Sequence, residues 1–392
     1  MLEKPLQSRA VRGAVLLAAG LLGFLLLEGL ARLLEPGEKY FHARLFQKLP
    51  AADAARLNAL LASESAKFEA TYRLGASQVL DTENFVIDPT LVYRLAPSLS
   101  QKSLNFTLRP EIREEERWTY NANAEGWRGL IPSPKEPGEL RIVTLGDSTT
   151  YGWGLEEEES WPARLAKELG NPWGVFNRAV PGYTSYQGSL LSTEANSLSA
   201  DMVTIGYGAN DAMPYPLREE EIAKRISIPL AGVAGRLALP RLLARLFFRM
   251  FPKPEPTNRV PPEEYEKRLG EISKHVREKS EPLLLSLCVS DPRYEEALGR
   301  VSKTEGIPLL RFEAGEEPTW IEPGGTAKCS AAEVLEQAGK SASAPSALEK
   351  TRHLAGDERK SFFADDCHPT PWGALVIAKS IACRIESLRR SL

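Results

Sequence analysis

Five short apolar segments that alternate with helix-like segments place the strongest constraint on the fold of this chain. The predicted strands are Arg141–Leu145, Gly174–Asn177, Asp201–Tyr207, Leu283–Cys288 and Ile307–Phe312. Their apolar residues do not alternate cleanly with polar ones, which is typical of parallel strands covered on both faces. The predicted helices around them are Ser160–Leu169, Ser185–Asn196, Pro262–Glu278, Tyr294–Thr304 and Pro371–Leu388. The pattern predicts a three-layer α/β/α sandwich on a five-stranded parallel sheet, with functional groups at the carboxyl ends of the strands.

The segment Arg141–Gly154, RIVTLGDSTTYGWG, places a serine directly after the first of these strands. The β-forming run stops at Gly146, and Asp147 and Ser148 follow before small and polar residues lead toward a helix. A hydroxyl on a tight turn at the end of a buried strand is presented to a substrate rather than packed away. A Gly-Asp-Ser tripeptide alone is a weak signal, so its meaning depends on the rest of the chain.

Three further segments supply residue types that suit the same chemistry. Near the end of the chain, Asp365 stands three residues before His368, one of only four histidines. The segment FNRAVPGYTSYQ follows a short apolar run and places Gly182 in a predicted turn. The third predicted strand runs into a Gly-x-Asn-Asp segment that contains Asn210.

Taken in order, these four blocks resemble those of the SGNH (GDSL-type) serine hydrolases, which supply serine, glycine, asparagine and histidine. Here the four residues are Ser148, Gly182, Asn210 and His368, and the resemblance covers roughly residues 139–390. It implies a flavodoxin-like α/β/α sandwich that acts on ester bonds. Each residue alone would also fit a helix cap, a turn, an Asx turn or a surface histidine, so the ordered set carries the inference.

The chemistry expected of this set follows from the residue types. A serine hydroxyl is a poor nucleophile until a base takes its proton, and histidine titrates near neutral pH. We therefore expect His368 to activate Ser148, and Asp365 to hold the second imidazole nitrogen. Attack on an ester carbonyl places negative charge on its oxygen. The expected oxyanion hole consists of the backbone N–H groups of Ser148 and Gly182 and the side-chain amide of Asn210.

Three more aspartates stand beside these residues. We expect Asp147 to support the nucleophile turn and Asp211 to cap the segment that follows Asn210. Asp366 competes with Asp365 for the orienting role, and the Asp-x-x-His spacing together with the family pattern favours Asp365. The sequence offers no phosphate-binding loop and no histidine–carboxylate cluster, so we expect neither a metal nor another cofactor.

Residues 1–35 are predicted to form a transmembrane signal-anchor. Gly13–Leu27 is an uninterrupted apolar run, and with Gly29–Leu34 it reaches about the 20 residues that cross a bilayer as a helix. Lys4, Arg9 and Arg12 precede it, so the positive-inside rule predicts a cytoplasmic N-terminus and an extracytoplasmic catalytic domain, which is periplasmic in a Gram-negative cell. A cleaved signal peptide is the alternative, although no clean Ala-x-Ala site follows the apolar run.

Residues 36–138 are predicted to form an extracytoplasmic region that packs on the hydrolase domain, residues 139–392. Ala51–Lys67 has a helical pattern, whereas Phe85–Pro97 and Trp118–Gly129 indicate short strands and turns. A degenerate Asn-x-x-Gly-x-Arg signature accompanies many membrane-anchored SGNH proteins. Here it is matched by Asn123, Gly126 and Arg128, and we interpret it as a structural turn.

Two insertions, 212–261 and 316–360, interrupt the predicted hydrolase domain. The first contains Gly235–Lys253, which carries arginines and no acids among leucine and phenylalanine. This segment is interpreted as a lid, as an amphipathic segment on an anionic membrane, or as an ordinary helix packed on the core. The second is rich in Ala, Ser, Gly, Glu and Lys, and it predicts a long loop.

The four cysteines are Cys288, Cys329, Cys367 and Cys383, and they show no metal-binding spacing. Cys288 ends an apolar strand and Cys383 lies in an apolar helical pattern, so we expect both to be thiols in the core. Cys329 and Cys367 lie in polar segments, and a disulfide between them is compatible with an exported protein.

The leading hypothesis is a membrane-anchored serine esterase that hydrolyses acyl esters, such as acetyl esters, of an extracytoplasmic glycan or lipid. One alternative is an O-acyltransferase at the same site, because an acyl-enzyme does not dictate which alcohol accepts the acyl group. Another is a catalytically silent glycan-binding or assembly protein, but such a protein has no need for Asp365 and His368 at their spacing. The net charge of −3 argues against a nucleic-acid partner.

Overall fold

The computed structural model describes residues 4–34, 84–88, 90–103, 118–215, 218–226, 239, 257–289, 291–312, 318–322, 330–341, 362 and 367–389. The strands among them are β1 (Phe85–Asp88), β2 (Val92–Leu95), β3 (Ser100–Ser103), β4 (Trp118–Asn121), β5 (Leu140–Gly146), β6 (Trp173–Asn177), β7 (Met202–Gly206), β8 (Pro214–Tyr215), β9 (Thr257–Asn258), β10 (Glu281–Ser286), β11 (Leu309–Arg311) and β12 (Thr319–Ile321). The helices are α1 (Lys4–Leu34), α2 (Ser148–Tyr151), α3 (Trp161–Leu169), α4 (Ser185–Ser197), α5 (Glu219–Ile226), α6 (Pro262–Arg277), α7 (Pro292–Glu305), α8 (Ala331–Ser341) and α9 (Pro371–Arg389).

The central sheet has six strands in the order β12-β11-β10-β7-β5-β6. All neighbours pair in parallel except β11 and β12, which are antiparallel. The five parallel strands are the five predicted ones, and each observed boundary lies within two residues of its prediction. The chain therefore winds outward in both directions from β5 and β7, and the carboxyl ends of these two strands mark the topological switch point where such sheets bind ligands.

Helices cover both faces of the sheet. On one face α4, α6 and α7 bury apolar side chains such as Leu191, Leu269 and Leu298, which belong to the first core. On the other face α3, α8 and α9 bury side chains such as Leu165 and Ile377, which belong to the second core. The predicted three-layer α/β/α sandwich is confirmed, and the sheet is shielded from water on both sides.

The segment Glu316–Lys360 contains a strand, β12, and a helix, α8, where its composition predicted a loop. β12 extends the sheet by pairing with β11, and Trp320 on β12 is buried. In α8, Val334 and Ala338 are four residues apart and pack in the second core. The prediction of a continuous loop is therefore wrong for these two elements, because a few apolar residues at helical spacing suffice to hold a helix on a core.

The residues before β5 form two antiparallel pairs, β1–β2 and β3–β4. β1, β2 and β4 lie in the predicted segments Phe85–Pro97 and Trp118–Gly129, whereas β3 was not predicted. Their aromatic side chains join the first core: Trp118 and Tyr120 contact the ring of Tyr151 on α2, and Tyr93 contacts that of Tyr183. The predicted helix Ala51–Lys67 lies outside the described residues.

Helix α1 contains Gly13–Ala31, a 19-residue span with a mean hydropathy of 2.2, which is long and apolar enough to cross a membrane. The side chain of Glu28 is buried, and it accepts a hydrogen bond from the backbone N–H of Leu239 at 2.8 Å. Leu239 is the described residue of the basic segment Gly235–Lys253. The base of the same insertion is closed by the antiparallel pair β8–β9.

Candidate active site

Ser148 is presented by a sharp junction between β5 and α2. Gly146, the last residue of β5, pairs with Gly206 on β7. A Cβ atom on Gly146 would lie 2.6 Å from the Cβ atom of Thr150 and 2.9 Å from the carbonyl oxygen of Gly206, so glycine allows α2 to begin this close to the end of the strand. Ser148 is then the first residue of α2, half-buried at the switch point of the sheet.

Asp147 is the N-cap of α2. Its carboxylate accepts hydrogen bonds from the backbone N–H of Thr149 at 2.9 Å and from the Thr149 hydroxyl at 2.8 Å. The side-chain amide of Asn210 donates to the other carboxylate oxygen at 3.1 Å. Burial raises the pKa of Asp147, and the hydrogen bonds from Thr149 oppose that shift. These hydrogen bonds hold the turn that carries Ser148, and the supporting role of Asp147 in catalysis stays a prediction.

His368 reaches Ser148 from the opposite end of the chain. Its Nε2 lies 2.9 Å from Ser148 Oγ, across a sequence separation of 220 residues. The residue stands between Cys367 and the start of α9, where the Thr370 hydroxyl accepts a hydrogen bond from the backbone N–H of Gly373. The Trp153 ring lies beside the imidazole, with ring centroids 6.4 Å apart.

Cys367, directly before His368, forms a disulfide with Cys288 just beyond β10. Cys367 therefore does not pair with Cys329, the pairing that the sequence left open, and the prediction of a core thiol at Cys288 is wrong. Cys383 is also disulfide-bonded, so it is not a free thiol either. The sequence contained the residues but not their distances, and a disulfide requires Cα atoms close together, here 4.7 Å apart.

Gly182 lies in the tight turn between β6 and α4. Its φ of +83° is a backbone conformation that favours glycine. No acceptor among the described residues takes a hydrogen bond from its backbone N–H, and the same holds for the N–H of Ser148. Both groups therefore remain available to an outside acceptor.

Asn210 bridges the nucleophile turn and the Gly182 turn. Its Nδ2 has two acceptors, Asp147 Oδ2 at 3.1 Å and the carbonyl oxygen of Tyr183, also at 3.1 Å. The amide carries two hydrogens, so both have acceptors in this arrangement. The structure therefore gives Asn210 a cross-linking position, and its role at the oxyanion stays a prediction.

Asp211 is fully buried and binds the first turn of α4, not the segment after Asn210 that the sequence suggested. It accepts hydrogen bonds from the backbone N–H of Ser185 at 3.0 Å and from the Ser185 hydroxyl at 2.5 Å. Burial raises the pKa of Asp211 to about 7, and the hydrogen bonds from Ser185 oppose the shift.

Arg128 was interpreted from the sequence as part of a structural turn, and the structure gives it direct contact with the nucleophile helix. The side chain is 1% exposed, and it donates to the carbonyl oxygens of Tyr151, Gly152 and Leu155 at 2.6–2.7 Å. These carbonyls end α2 and form the turn after it. Asn123 folds the preceding turn, accepting hydrogen bonds from the N–H groups of Glu125 and Trp127.

Asp365 and Asp366, the two candidates for the orienting acid, lie outside the described residues. Within the parts of the chain that the structure describes, no group of three or more His, Cys, Asp or Glu residues is arranged to hold a metal ion.

The family model of the GDSL-like lipases and acylhydrolases matches residues 144–375, more than half of the 392-residue chain. The chain belongs to this GDSL-like family. The matched span holds Ser148, Gly182, Asn210 and His368, and leaves out the region before β5. The predicted family resemblance is thereby confirmed.

An arylesterase of Vibrio mimicus is 30% identical over 95 residues, which are 22% of this chain and 48% of that protein. The chain thus spans about half the length of this relative. Among solved structures, a carbohydrate acetylesterase from Sinorhizobium meliloti is 15% identical, covering 64% of this chain and 100% of that one with a TM-score of 0.35. A psychrotrophic esterase from Pseudoalteromonas is 16% identical, with the same coverage and TM-score.

Proposed function

We propose that this GDSL-family protein is a serine esterase that forms an acyl-enzyme on Ser148. The observation that carries the proposal is the 2.9 Å contact between Ser148 Oγ and His368 Nε2 at the switch point of the sheet. A serine within hydrogen-bond reach of a histidine is the arrangement that nucleophilic acyl transfer requires.

In the proposed reaction His368 Nε2 takes the proton from Ser148 as the serine oxygen attacks the ester carbonyl. A tetrahedral oxyanion forms. When it collapses, the bond to the alcohol breaks, the alcohol leaves with the proton from His368, and the acyl group stays on Ser148. Water then attacks the acyl-enzyme, with His368 again accepting and returning one proton, and releases the acid.

The oxyanion in this scheme is bound by the N–H groups of Ser148 and Gly182, which have no other acceptor among the described residues. Asn210 joins as the third donor by giving up, or sharing, one of its bonds to Asp147 and Tyr183. Preorganised donors of this kind stabilise the transition state because they are already oriented when the charge develops.

The proposed substrate is an acyl ester of an extracytoplasmic glycan or of a lipid. Support comes from α1, whose span Gly13–Ala31 is long and apolar enough for a membrane anchor. Lys4, Arg9 and Arg12, which precede that span, add to it. The half-buried ring of Trp153 beside His368 offers an apolar surface to a sugar ring or an acyl chain.

The test is hydrolysis of p-nitrophenyl esters of graded acyl length by the full-length protein in detergent. We expect turnover by the wild type and by Ser197→Ala, which alters an exposed serine on α4, and none by Ser148→Ala. A serine-directed organophosphonate should label Ser148 alone. Labelling at another serine, or full activity of Ser148→Ala, would refute the proposal.

The orienting acid is proposed to be Asp365. Asp365→Asn should lower kcat by several orders of magnitude, because an amide favours the wrong imidazole tautomer and does not stabilise the imidazolium. Asp366→Asn should change kcat by less than about tenfold, or roughly 1.4 kcal/mol. If Asp366→Asn is the inactive variant, the two roles are reversed.

The proposed location is the cell membrane, with the N-terminus cytoplasmic and the enzyme domain outside. Protease added to spheroplasts should then digest the domain, and a carbonate wash should leave the protein in the membrane fraction. Release into the soluble fraction would instead indicate cleavage of a signal peptide.

A further inference from the structure

The turn Pro181–Tyr183 is held by side chains from three distant parts of the chain. Each of its three carbonyl groups accepts one hydrogen bond. The pairs are Tyr93 Oη to Pro181 O at 3.0 Å, Arg259 Nη1 to Gly182 O at 2.8 Å and Asn210 Nδ2 to Tyr183 O at 3.1 Å.

The hydrogen bond from Tyr93 acts on the peptide group between Pro181 and Gly182, which carries the N–H of Gly182. The carbonyl of Pro181 and the N–H of Gly182 belong to one planar peptide unit, so in the trans form they point in opposite directions. A donor that fixes the carbonyl therefore fixes the direction of the N–H. It also polarises the amide, which makes the N–H a stronger donor.

Tyr93 is itself firmly placed. Its side chain is buried, and its backbone carbonyl accepts a hydrogen bond from the Tyr183 hydroxyl at 2.6 Å. The two rings meet edge to face with centroids 5.2 Å apart. Strand β2 and the turn thus hold each other through reciprocal bonds. Burial keeps the pKa of Tyr93 well above its usual range, so the hydroxyl retains its proton.

Arg259 fixes the other side of Gly182 through a buried ion pair. Its guanidinium contacts Glu219 with Nε and Nη2 at 2.9 and 2.8 Å, and both side chains are less than 10% exposed. Gln187 on α4 donates to the second oxygen of Glu219 at 2.7 Å. Because the fork of the guanidinium is rigid, its remaining arm is directed at the Gly182 carbonyl.

We propose that Tyr93 is a positioning residue that orients the Gly182 N–H as an oxyanion donor, with Arg259 holding the opposite side of the same glycine. Tyr93 lies outside residues 144–375 that match the family model, so the region before the hydrolase domain completes the machinery. This inference rests on the proposed esterase function, because it requires an oxyanion at the site.

The first test is Tyr93→Phe in the full-length protein in detergent, assayed on one p-nitrophenyl ester. Removing a direct oxyanion donor lowers kcat by about 10²–10³-fold. Tyr93→Phe keeps the donor and loosens it, so we expect kcat to fall about tenfold with KM changed less than about twofold. Inactivation by an organophosphonate, whose phosphoryl oxygen occupies the same place, should slow by a similar factor.

The matched control is Ser280→Ala. Ser280 is a buried residue whose hydroxyl donates to the backbone carbonyl of Ala200 at 2.8 Å. Both residues precede the amino ends of β10 and β7, at the opposite edge of the sheet from Ser148. The variant also loses a buried hydrogen bond to a backbone carbonyl, so it should share any fall in thermal stability while keeping the wild-type kcat.

Arg259→Lys provides a second variant. Lysine keeps a positive charge opposite Glu219 but lacks the fork that reaches two partners, so kcat should again fall about tenfold or more with KM little changed. If Tyr93→Phe and Arg259→Lys both retain the kcat of the control in a Ser148-dependent wild type, the inference is overturned. If the wild type itself shows no Ser148-dependent hydrolysis, the proposed function fails instead.

Discussion

Ser148 and His368 lie 2.9 Å apart, but the two sides of the candidate site are held in different ways. On the Ser148 side, β5 is paired with β6 and β7, and Asp147, Asn210 and Arg128 bind the turn through several hydrogen bonds. On the His368 side, the support includes the Cys288–Cys367 disulfide, the start of α9, the hydrogen bonds from Thr370 to the carbonyl oxygen of Phe362 and the ring of Trp153.

The difference follows from the position of each residue in the fold. Ser148 follows a central strand, so many neighbours can bind its turn. His368 lies in a segment near the end of the chain that is not part of the sheet. The adjacent Cys288–Cys367 disulfide joins this segment to the end of β10, where strand pairing does not hold it. We therefore expect the relative effects of a substitution on kcat and on the free energy of unfolding to differ between the two sides.

The largest effect is expected for His368→Ala. Without the base, kcat should fall by about 10⁴-fold or more, as removal of a catalytic histidine does in related triads. The thermal unfolding midpoint should shift little. The control is His275→Ala, which removes an exposed histidine on α6. Equal kcat values of His368→Ala and His275→Ala would show that His368 does not act as the base.

The disulfide should contribute both stability and activity. Cys288→Ser combined with Cys367→Ser opens a loop of 79 residues, which in the chain-entropy model costs about 4–5 kcal/mol. At a temperature where the variant is still folded, we expect kcat to fall by about 10-fold, because His368 loses its neighbouring link. Cys383→Ser serves as the comparison, because it breaks the disulfide further along α9 and leaves Cys367 bonded. Unchanged kcat in the double variant would mean that α9 alone positions His368.

The Ser148 side contains a buried carboxyl group that should make stability depend on pH. With a pKa of about 7 in the folded protein and about 3.9 when unfolded, Asp211 binds its proton more tightly in the folded state. The free energy of unfolding should therefore fall as pH rises from about 4 to about 7, by at most about 4 kcal/mol. Nearby Asp147 favours the protonated form and Arg259 opposes it.

Asp211→Asn should flatten this dependence while the Ser185 donors keep an acceptor oxygen. Urea unfolding at pH 5 and pH 8 would measure it. A wild-type protein that loses no more stability than Asp211→Asn between these two pH values would show that Asp211 does not titrate in this window.

The smallest effect is expected for Thr149→Ala. It removes one hydroxyl donor to Asp147, which should cost about 1 kcal/mol of unfolding free energy. The backbone N–H of Thr149 and the amide of Asn210 still bind the carboxylate, so kcat should change less than about tenfold. A larger loss of activity would mean that the turn that carries Ser148 depends on the single bond from the Thr149 hydroxyl.

The sequence predicted the five parallel strands and the main helices because their apolar patterns are local. Each strand is a short, mostly apolar run, and each helix begins or ends at a residue with a recognisable preference. The same locality located Ser148 and Asn210 at strand ends, and the parallel topology then brought those ends together. The β12 strand and α8 escaped prediction because only a few of their residues are apolar.

The sequence by itself thus determined the layered α/β fold, the family and the order of the four site blocks. Only the tertiary structure decided which cysteines pair and which side chains hold the Gly182 turn. Tyr93 reaches Pro181 across 88 residues and Arg259 reaches Gly182 across 77. Contacts of this kind depend on how separate elements pack against one another, and a single sequence carries no periodicity that reports the distance between them.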